Sequence, residues 1–495
     1  MDEVENHCTP NDCWLVLCDK VYDLTEFHVS HPGGSAIITG NAGKNATELF
    51  LQVHPSDLAE RLLSPNVLMG IVDKKTVQPH HISKALPSSK SVDSTTDVSK
   101  VGLNHMLNSF DFEAEARNKM GKEGWAYYSS GADDEITLRE NHNAFHRIWL
   151  KPRILVNVKS IDTSTRILGF PASLPLYISA TALAKLAHPD GEMALVKAAH
   201  KEGIHFMMPT LSSCSVDEML DAREPGQIVF SQLYVNQHRE RTREYVAKCE
   251  RSGVKALFIT VDAPQLGRRE KDLRNKLSND ITTASEQKED VISRNEGVTR
   301  SISTFIDPSL CWDDLSWFFE STKLPIYLKG VQCSEDALLA FRYGCSGVVL
   351  SNHGGRQLDL SRSGIEILPE VMNALRKEPG YSCQTFQVFV DGGIRRGADI
   401  FKAIALGATA VGIGRPSIYS LAAFGPAGVS RMIQIFKEEL EMCMRLMGTP
   451  NINSIHSDHV ITKNLADHFA MQPRDSLLHD IYEPLKHART YVSKM

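Results

Sequence analysis

The stretch Ser351-Asn352-His353-Gly354-Gly355-Arg356-Gln357 places an imidazole three residues before a guanidinium, with two glycines between them. Histidine titrates near neutrality and can take a proton from a reacting molecule. Arginine presents a planar fork that grips a carboxylate through two parallel hydrogen bonds. Asp262 could pair with His353 and stabilise the imidazolium as it forms, and Arg269 offers a second guanidinium. Lys329 would set a positive charge beside an electron-rich group. Removing hydrogen from the carbon next to a carboxylate needs such a base, such a cation and an acceptor for two electrons.

Two glycine-rich words follow. Val390-Asp391-Gly392-Gly393-Ile394-Arg395-Arg396-Gly397 and Val411-Gly412-Ile413-Gly414-Arg415-Pro416 combine backbone amides with basic side chains. Such loops build phosphate sites after the last two strands of a barrel.

These residues need a scaffold. Short apolar runs at Leu176–Ser179, His205–Pro209, Val229–Tyr234, Leu257–Asp262, Ile326–Lys329, Gly347–Ser351, Val388–Asp391 and Ala410–Gly412 alternate with amphipathic helical stretches. Continuous apolar strands with crossover helices imply a parallel sheet covered on both faces, and eight such units predict an α/β fold of the (β/α)₈ type. Gln232, Tyr234, Thr260, Asp262, Lys329, Asn352, His353 and Asp391 then fall at the C-terminal ends of strands, where barrels carry their sites. A polar lid loop is expected at about 274–312, with Ser278 to Arg300 free of strand patterning.

Ahead of this unit, residues 74–104 are rich in Ser, Thr, Asp and Lys and read as a flexible linker. Residues 1–73 form a separate small α+β unit. There, Trp14 to Phe27 reads as a hairpin turning at Cys18-Asp19-Lys20, followed by His31-Pro32-Gly33-Gly34 and by His54. Two histidines held apart in this way can offer one nitrogen each to opposite faces of a heme iron.

Composition narrows the alternatives. The chain has 495 residues, a net charge of −6, 42% hydrophobic and 23% charged residues. Neither nucleic acid nor anionic lipid is an expected partner, and no apolar run approaches membrane-spanning length. Ten scattered cysteines suit a reducing compartment, with Cys8, Cys13 and Cys18 alternating through a turn and the first strand. The acidic start lacks the look of a secretory or mitochondrial leader, and Ser493-Lys494-Met495 differs from the peroxisomal Ser-Lys-Leu by one residue. A cytoplasmic or peroxisomal location is the expectation.

From Trp14 through His54 the N-terminal unit resembles the cytochrome b5 domain. From about Phe112 to about Arg489 the chain resembles the FMN-dependent 2-hydroxy-acid oxidases and dehydrogenases. That likeness rests on Ala126-Tyr-Tyr-Ser-Ser-Gly-Ala, Ser179-Ala-Thr-Ala, Gln232-Leu-Tyr, Thr260-Val-Asp-Ala-Pro, Gly267-Arg-Arg-Glu and the His353 motif. The order of the two units is similar to that of the flavocytochrome b2 family of L-lactate:cytochrome c oxidoreductases. The resemblance implies heme b on His31 and His54, and FMN contacts from Ala180, Thr181, Ala182, Gln232, Thr260, Lys329, Asp391, Gly393, Arg395, Gly414 and Arg415. It implies His353 as base oriented by Asp262, Arg356 and Tyr127 on the substrate carboxylate, Tyr234 on its hydroxyl, and Arg269 assisting in the transition state. A small (S)-2-hydroxy acid such as L-lactate, an external acceptor (cytochrome c or oxygen) and a homotetramer follow from the same likeness. An oxygen-reducing oxidase and a non-catalytic heme electron-transfer protein are the competing readings. One departure is Pro209, where the family often has a serine on the flavin; proline offers neither hydroxyl nor N–H.

Overall fold

The structure, a computed structural model, describes residues 1–28, 35–51, 59, 63, 65–73, 76–78, 81, 101–274 and 306–468. His31, His54, most of the expected linker, most of the expected lid loop and the terminal tripeptide lie outside these residues. The chain divides into two compact units, Met1–Lys100 and Val101–Met495.

The first unit carries a four-stranded antiparallel sheet, β1 (Cys8–Thr9), β2 (Asp12–Leu17), β3 (Lys20–Asp23) and β4 (Leu68–Ile71), in sequential order. Cys18 and Asp19 both have positive φ (50° and 66°), which is the geometry of a tight hairpin turn matched to strand twist. Cys13, Leu15 and Leu17 alternate on β2 and bury one face with Tyr22, Leu24 and Ile38. Helices α1 (Ser35–Thr39) and α2 (Thr47–Leu51) belong to this unit. Burial pushes the Cys13 thiol up to about 11, so it is a core residue and a poor metal ligand. None of the ten cysteines, all of them among the described residues, is in a disulfide.

In the second unit, α3 (Ser109–Lys119), α4 (Lys122–Ser129) and α5 (Ile136–His146) precede the short strand β5 (Trp149–Leu150) and the hairpin β6 (Thr165–Ile167)–β7 (Phe170–Ala172). Eight strands then close a parallel barrel: β8 (Leu176–Ile178), β9 (His205–Met208), β10 (Val229–Leu233), β11 (Leu257–Thr260), β12 (Ile326–Val331), β13 (Gly347–Leu350), β14 (Gln387–Asp391) and β15 (Ala410–Ile413). The crossover helices are α6 (Gly191–Lys201), α7 (Val216–Asp221), α8 (Arg239–Arg251), α9 (Leu315–Ser321), α10 (Ser334–Arg342), α11 (Gly364–Lys377) and α12 (Gly397–Leu406), and α13 (Arg415–Met447) follows the last strand. Strand and helix runs read from hydrophobic patterning coincide with these elements to within one or two residues. No helix among the described residues is long and apolar enough to cross a membrane.

Side-chain alternation explains the barrel interior. Each strand contributes one residue to a single apolar layer: Tyr177, Met207, Phe230, Phe258, Tyr327, Val349, Phe389 and Ala410. The hairpin residues Ile167 and Ala172 pack against that layer. Their strand neighbours, such as Ile178, Phe206, Leu257, Leu328, Val348 and Val390, join the core shared with the helices. Two residues further along each strand, back on the inner face, stand Ser179, Pro209, Gln232, Thr260, Lys329, Ser351, Asp391 and Gly412. The polar floor of the site is therefore one pleat above the apolar layer.

Candidate active site

The floor residues hold one another. Gln232 donates from Nε2 to Thr260 Oγ1 (2.9 Å) and accepts from the Thr210 amide on Oε1 (3.0 Å). Pro209 lines the cleft beside them and leaves that hydrogen bond to Thr210. Lys329, fully buried, lies 3.4 Å from Asp391 Oδ2 and donates to Ser351 Oγ at 3.2 Å. Burial would lower the Lys329 ammonium, but Asp391 and Asp262 outweigh it and hold its pKa above the ordinary lysine value. Lys329 is thus a fixed positive charge at the centre of the floor.

His353 stands beside this floor, in the loop after β13. Its Nδ1 lies 3.0 Å from Asp262 Oδ1, and its Nε2 lies 3.2 Å from the Tyr234 hydroxyl. Asp262 reaches His353 because β12 bulges after Lys329: Gly330 has φ 109°, and a Cβ there would stand 2.6 Å from that of Asp262. Burial lowers the His353 pKa, with Asp262 opposing the shift. Burial works to raise Asp262, yet His353 and Lys329 prevail and keep it below the ordinary carboxylate range. The resting pair is therefore a neutral imidazole with its Nδ1 tied to a carboxylate, and Nε2 turned toward Tyr234.

Arg356 Nη1 donates to the backbone carbonyls of Tyr127 (2.6 Å) and Ser130 (3.2 Å), and its guanidinium lies over the Tyr127 ring, 4.8 Å from the centroid. Arg269 donates from Nε to the Arg356 carbonyl and from Nη2 to Gln357 Oε1, each at 3.3 Å. Burial, together with Arg356, lowers Arg269 to about 10. Two cations held close together at a cleft wall are costly to desolvate, and an anion between them relieves that cost.

The glycine loops shape the far end of the cleft. Gly393 has φ 81°, and a Cβ there would meet the Asn141 carbonyl oxygen at 1.9 Å. Arg395 is ion-paired with Glu113, donates from Nε to Ser109 Oγ at 3.1 Å and stacks over Phe110. Arg415, the first residue of α13, donates to the carbonyls of Tyr128, Gly354 and Ser130 at 2.7, 2.9 and 2.9 Å. It braces the loops around the cleft while lining it.

One cleft gathers Tyr127, Ala180, Thr181, Ala182, Gln232, Tyr234, Thr260, Arg269, Lys329, His353, Arg356, Asp391, Gly393, Arg395, Gly414 and Arg415, with Asp262 behind His353. Its ≈ 1410 Å³ of unfilled space includes the open solvent at its mouth. The Ser179 Oγ, buried on the floor, has no hydrogen-bond partner among the described residues. An unmet polar atom, a buried ammonium and a glycine-lined basic end suit a polar, electron-accepting ring with a phosphate tail.

The chain belongs to the FMN-dependent dehydrogenase family. The model of that family matches residues 116–462, and that of the cytochrome b5-like heme/steroid binding domain matches residues 1–73. An L-lactate dehydrogenase (cytochrome) of Wickerhamomyces anomalus is 46% identical over 487 residues, 98% of this chain and 83% of the relative. A glycolate oxidase of Spinacia oleracea is 42% identical over 361 residues, 72% of this chain and 95% of the relative. Among solved structures, a mutant flavocytochrome b2 with pyruvate bound is 44% identical with a TM-score of 0.69, covering 79% of this chain and 95% of that one. FMN is the cofactor that the dehydrogenase family carries, and heme b the one that goes with the cytochrome b5-like domain.

Several residues that line the cleft or brace its walls escape a reading of the sequence. Ser179 and Ser351 directly follow β8 and β13 at positions that continue the inner face, so counting in twos from Tyr177 and Val349 would have found them. Asn141 and His142, on α5, line the cleft from a helix that precedes the barrel. Phe110 and Glu113 come from α3, and no spacing in the chain connects them to residues near position 395.

Proposed function

We propose that the protein oxidises a small (S)-2-hydroxy acid, L-lactate foremost, to the 2-oxo acid and passes the electrons to an external acceptor such as cytochrome c. The observation that carries this reading is the Asp262–His353–Tyr234 chain facing the two guanidinium groups across one cleft. The substrate class draws on relatives named L-lactate dehydrogenase (cytochrome) and glycolate oxidase, and on Ala182 and Leu211 as modest walls of the cleft.

When bound, FMN supplies a two-electron acceptor and heme b a one-electron relay. Ala180, Thr181, Gln232, Thr260, Lys329 and Asp391 would hold the flavin ring region, and Gly393, Arg395, Gly414 and Arg415 its phosphate end. His31 and His54 would hold the heme iron.

Arg356, with Tyr127, takes the substrate carboxylate, and Arg269 adds a second positive charge that counts most as negative charge builds up. Tyr234 is within hydrogen-bond reach of His353 Nε2, so a substrate hydroxyl held by the phenol lies beside that nitrogen. Nε2 accepts the proton of the carbon next to the carboxylate, which it can do because burial keeps the imidazole neutral at pH 7; the two electrons would pass to bound FMN and the hydroxyl proton to solvent. Asp262 then stabilises the imidazolium through Nδ1, in the manner of a histidine oriented by a buried carboxylate. Lys329 compensates negative charge arriving at the floor. Release of the oxo acid returns the proton to solvent and restores the neutral imidazole.

Anaerobic addition of L-lactate to the purified holoprotein tests the reading. The flavin absorption should bleach first and the heme bands should sharpen afterwards. If lactate and a panel of other 2-hydroxy acids leave both spectra unchanged, the proposal falls.

A further inference from the structure

The loop that carries His353 has an unusual backbone. His353, Gly354 and Gly355 have φ of 61°, 66° and 74°, three successive residues in the left-handed region. Glycine enters that region freely, but a histidine there must be held by its surroundings. The hold comes from the neighbouring side chain. Asn352 Oδ1 accepts from the Gly355 amide at 3.0 Å, and Asn352 Nδ2 donates to the Arg362 carbonyl at 3.0 Å. These two contacts close the loop on itself across His353.

The same carboxamide has a second set of partners. Asn141 Nδ2 donates to Asn352 Oδ1 at 2.9 Å, and Asn352 Nδ2 donates to Asn141 Oδ1 at 2.8 Å. Both side chains are 1–2% exposed, so the reciprocal pair is dry. In such a place each hydrogen bond is strong and each lost partner is costly. Asn141 also meets the glycine loop on the other side of the cleft. Its carbonyl oxygen abuts Gly393, its carboxamide stands 3.4 Å from where a Gly392 Cβ would be, and the next residue, His142, places Nδ1 3.1 Å from the Gly393 carbonyl. Helix α5 is separately latched to the base loop. Asp359 accepts from the Thr137 and Ile136 amides at 2.7 and 3.2 Å, and Thr137 Oγ1 donates to the Ser361 carbonyl.

We propose that Asn141 is a positioning residue: paired with Asn352, it sets His353 relative to the Gly392–Gly393 seat. The inference rests on His353 being the base. Because the Asp359 latch remains when Asn141 is changed, the helix should stay docked while the base loop loses its register to the glycine loop. A base displaced by a fraction of an ångström slows proton transfer far more than it weakens binding of either substrate or cofactor.

The test uses full-length holoprotein, anaerobic flavin reduction by L-lactate and by its 2-deuterated form, and rates expressed per bound FMN. Two variants are compared, Asn141→Ala and the double change Asn141→Leu with Asn352→Leu. The double variant removes the reciprocal pair together with the Asn352 contacts to the Gly355 amide and the Arg362 carbonyl, whereas Asn141→Ala leaves those two contacts in place. In both, reduction should slow by about 10²-fold, the deuterium effect should rise, and the Michaelis constant should move by less than about fivefold. A double variant reducing its bound FMN within about threefold of the parent rate overturns the proposal. Failure of both variants to retain FMN at saturating concentration also overturns it, since Asn141 would then serve the cofactor seat alone. His353→Gln is run alongside. If that variant still reduces its flavin, the base assignment is wrong; if it does not and the Asn141 variants match the parent, only the positioning inference fails.

Discussion

Lys329 and His353 are carried by adjacent strands, yet they are placed by different means. Lys329 lies within β12, two residues beyond Tyr327 of the apolar layer, with β-sheet pairing to Thr260 on one side and Val349 on the other. His353 lies three residues past the end of β13, with φ 61°, and owes its place to Asp262, Asn352 and Tyr234. The floor of the cleft is thus set by the sheet, whose pleat dictates which side chains turn inward. The rim is set by contacts between loops. Changes to the floor should therefore damage the fold and the cofactor seat, while changes to the rim should damage chemistry and leave the protein intact.

The sharpest test of that division is His353→Gln. Flavin reduction should fall by about 10⁴-fold with FMN still bound, the upper range for loss of a general base. Loss of the flavin from this variant would blur the distinction. Next in size, Lys329→Met leaves the buried Asp391 and Asp262 carboxylates without their cation. Urea unfolding should show about 3–5 kcal/mol of lost stability, as for other buried charges stripped of a partner. A variant as stable as its parent would mean that the floor is not held by this network. Arg356→Lys keeps the charge but not the fork, and should lower kcat/KM by about 10- to 100-fold, with unfolding unchanged.

The smallest effect concerns pH. His353 must be neutral to accept a proton, and its folded pKa lies below the ordinary 6.5 because of burial. Activity is then full above that value and is lost as pH falls through the lower, folded pKa. The acidic limb of flavin reduction should sit below pH 6.5, and a limb above it would contradict the burial argument.

The barrel was legible because its strands are short continuous apolar runs and its helices keep the period of an amphipathic face. Each type of run buries itself in only one way. Gln232, Thr260, Lys329 and Asp391 were legible as polar residues at the C-terminal ends of those apolar runs, where a barrel carries its site. The rim was legible mainly through resemblance, because nothing local tells His353 to face Asp262. Arg415 shows the limit: its spacing suggests a free phosphate clamp, while the folded chain engages all three of its nitrogens with the carbonyls of Tyr128, Gly354 and Ser130. The bulge at Gly330, the ion pair of Arg395 with Glu113 and the Asn141–Asn352 pair leave no trace in any window of the chain.

The motif around His353 illustrates both halves. Residue types alone set a candidate base beside a candidate carboxylate clamp, and the C-terminal ends of the apolar runs set polar and charged residues near them. Only the tertiary structure decided which nitrogen of His353 faces the cleft, which carboxylate backs it and which helix holds its loop. Hydrogen bonds between residues 91, 119 and 211 positions apart make those choices. Contacts at such separations arise from chain closure, which no local propensity encodes.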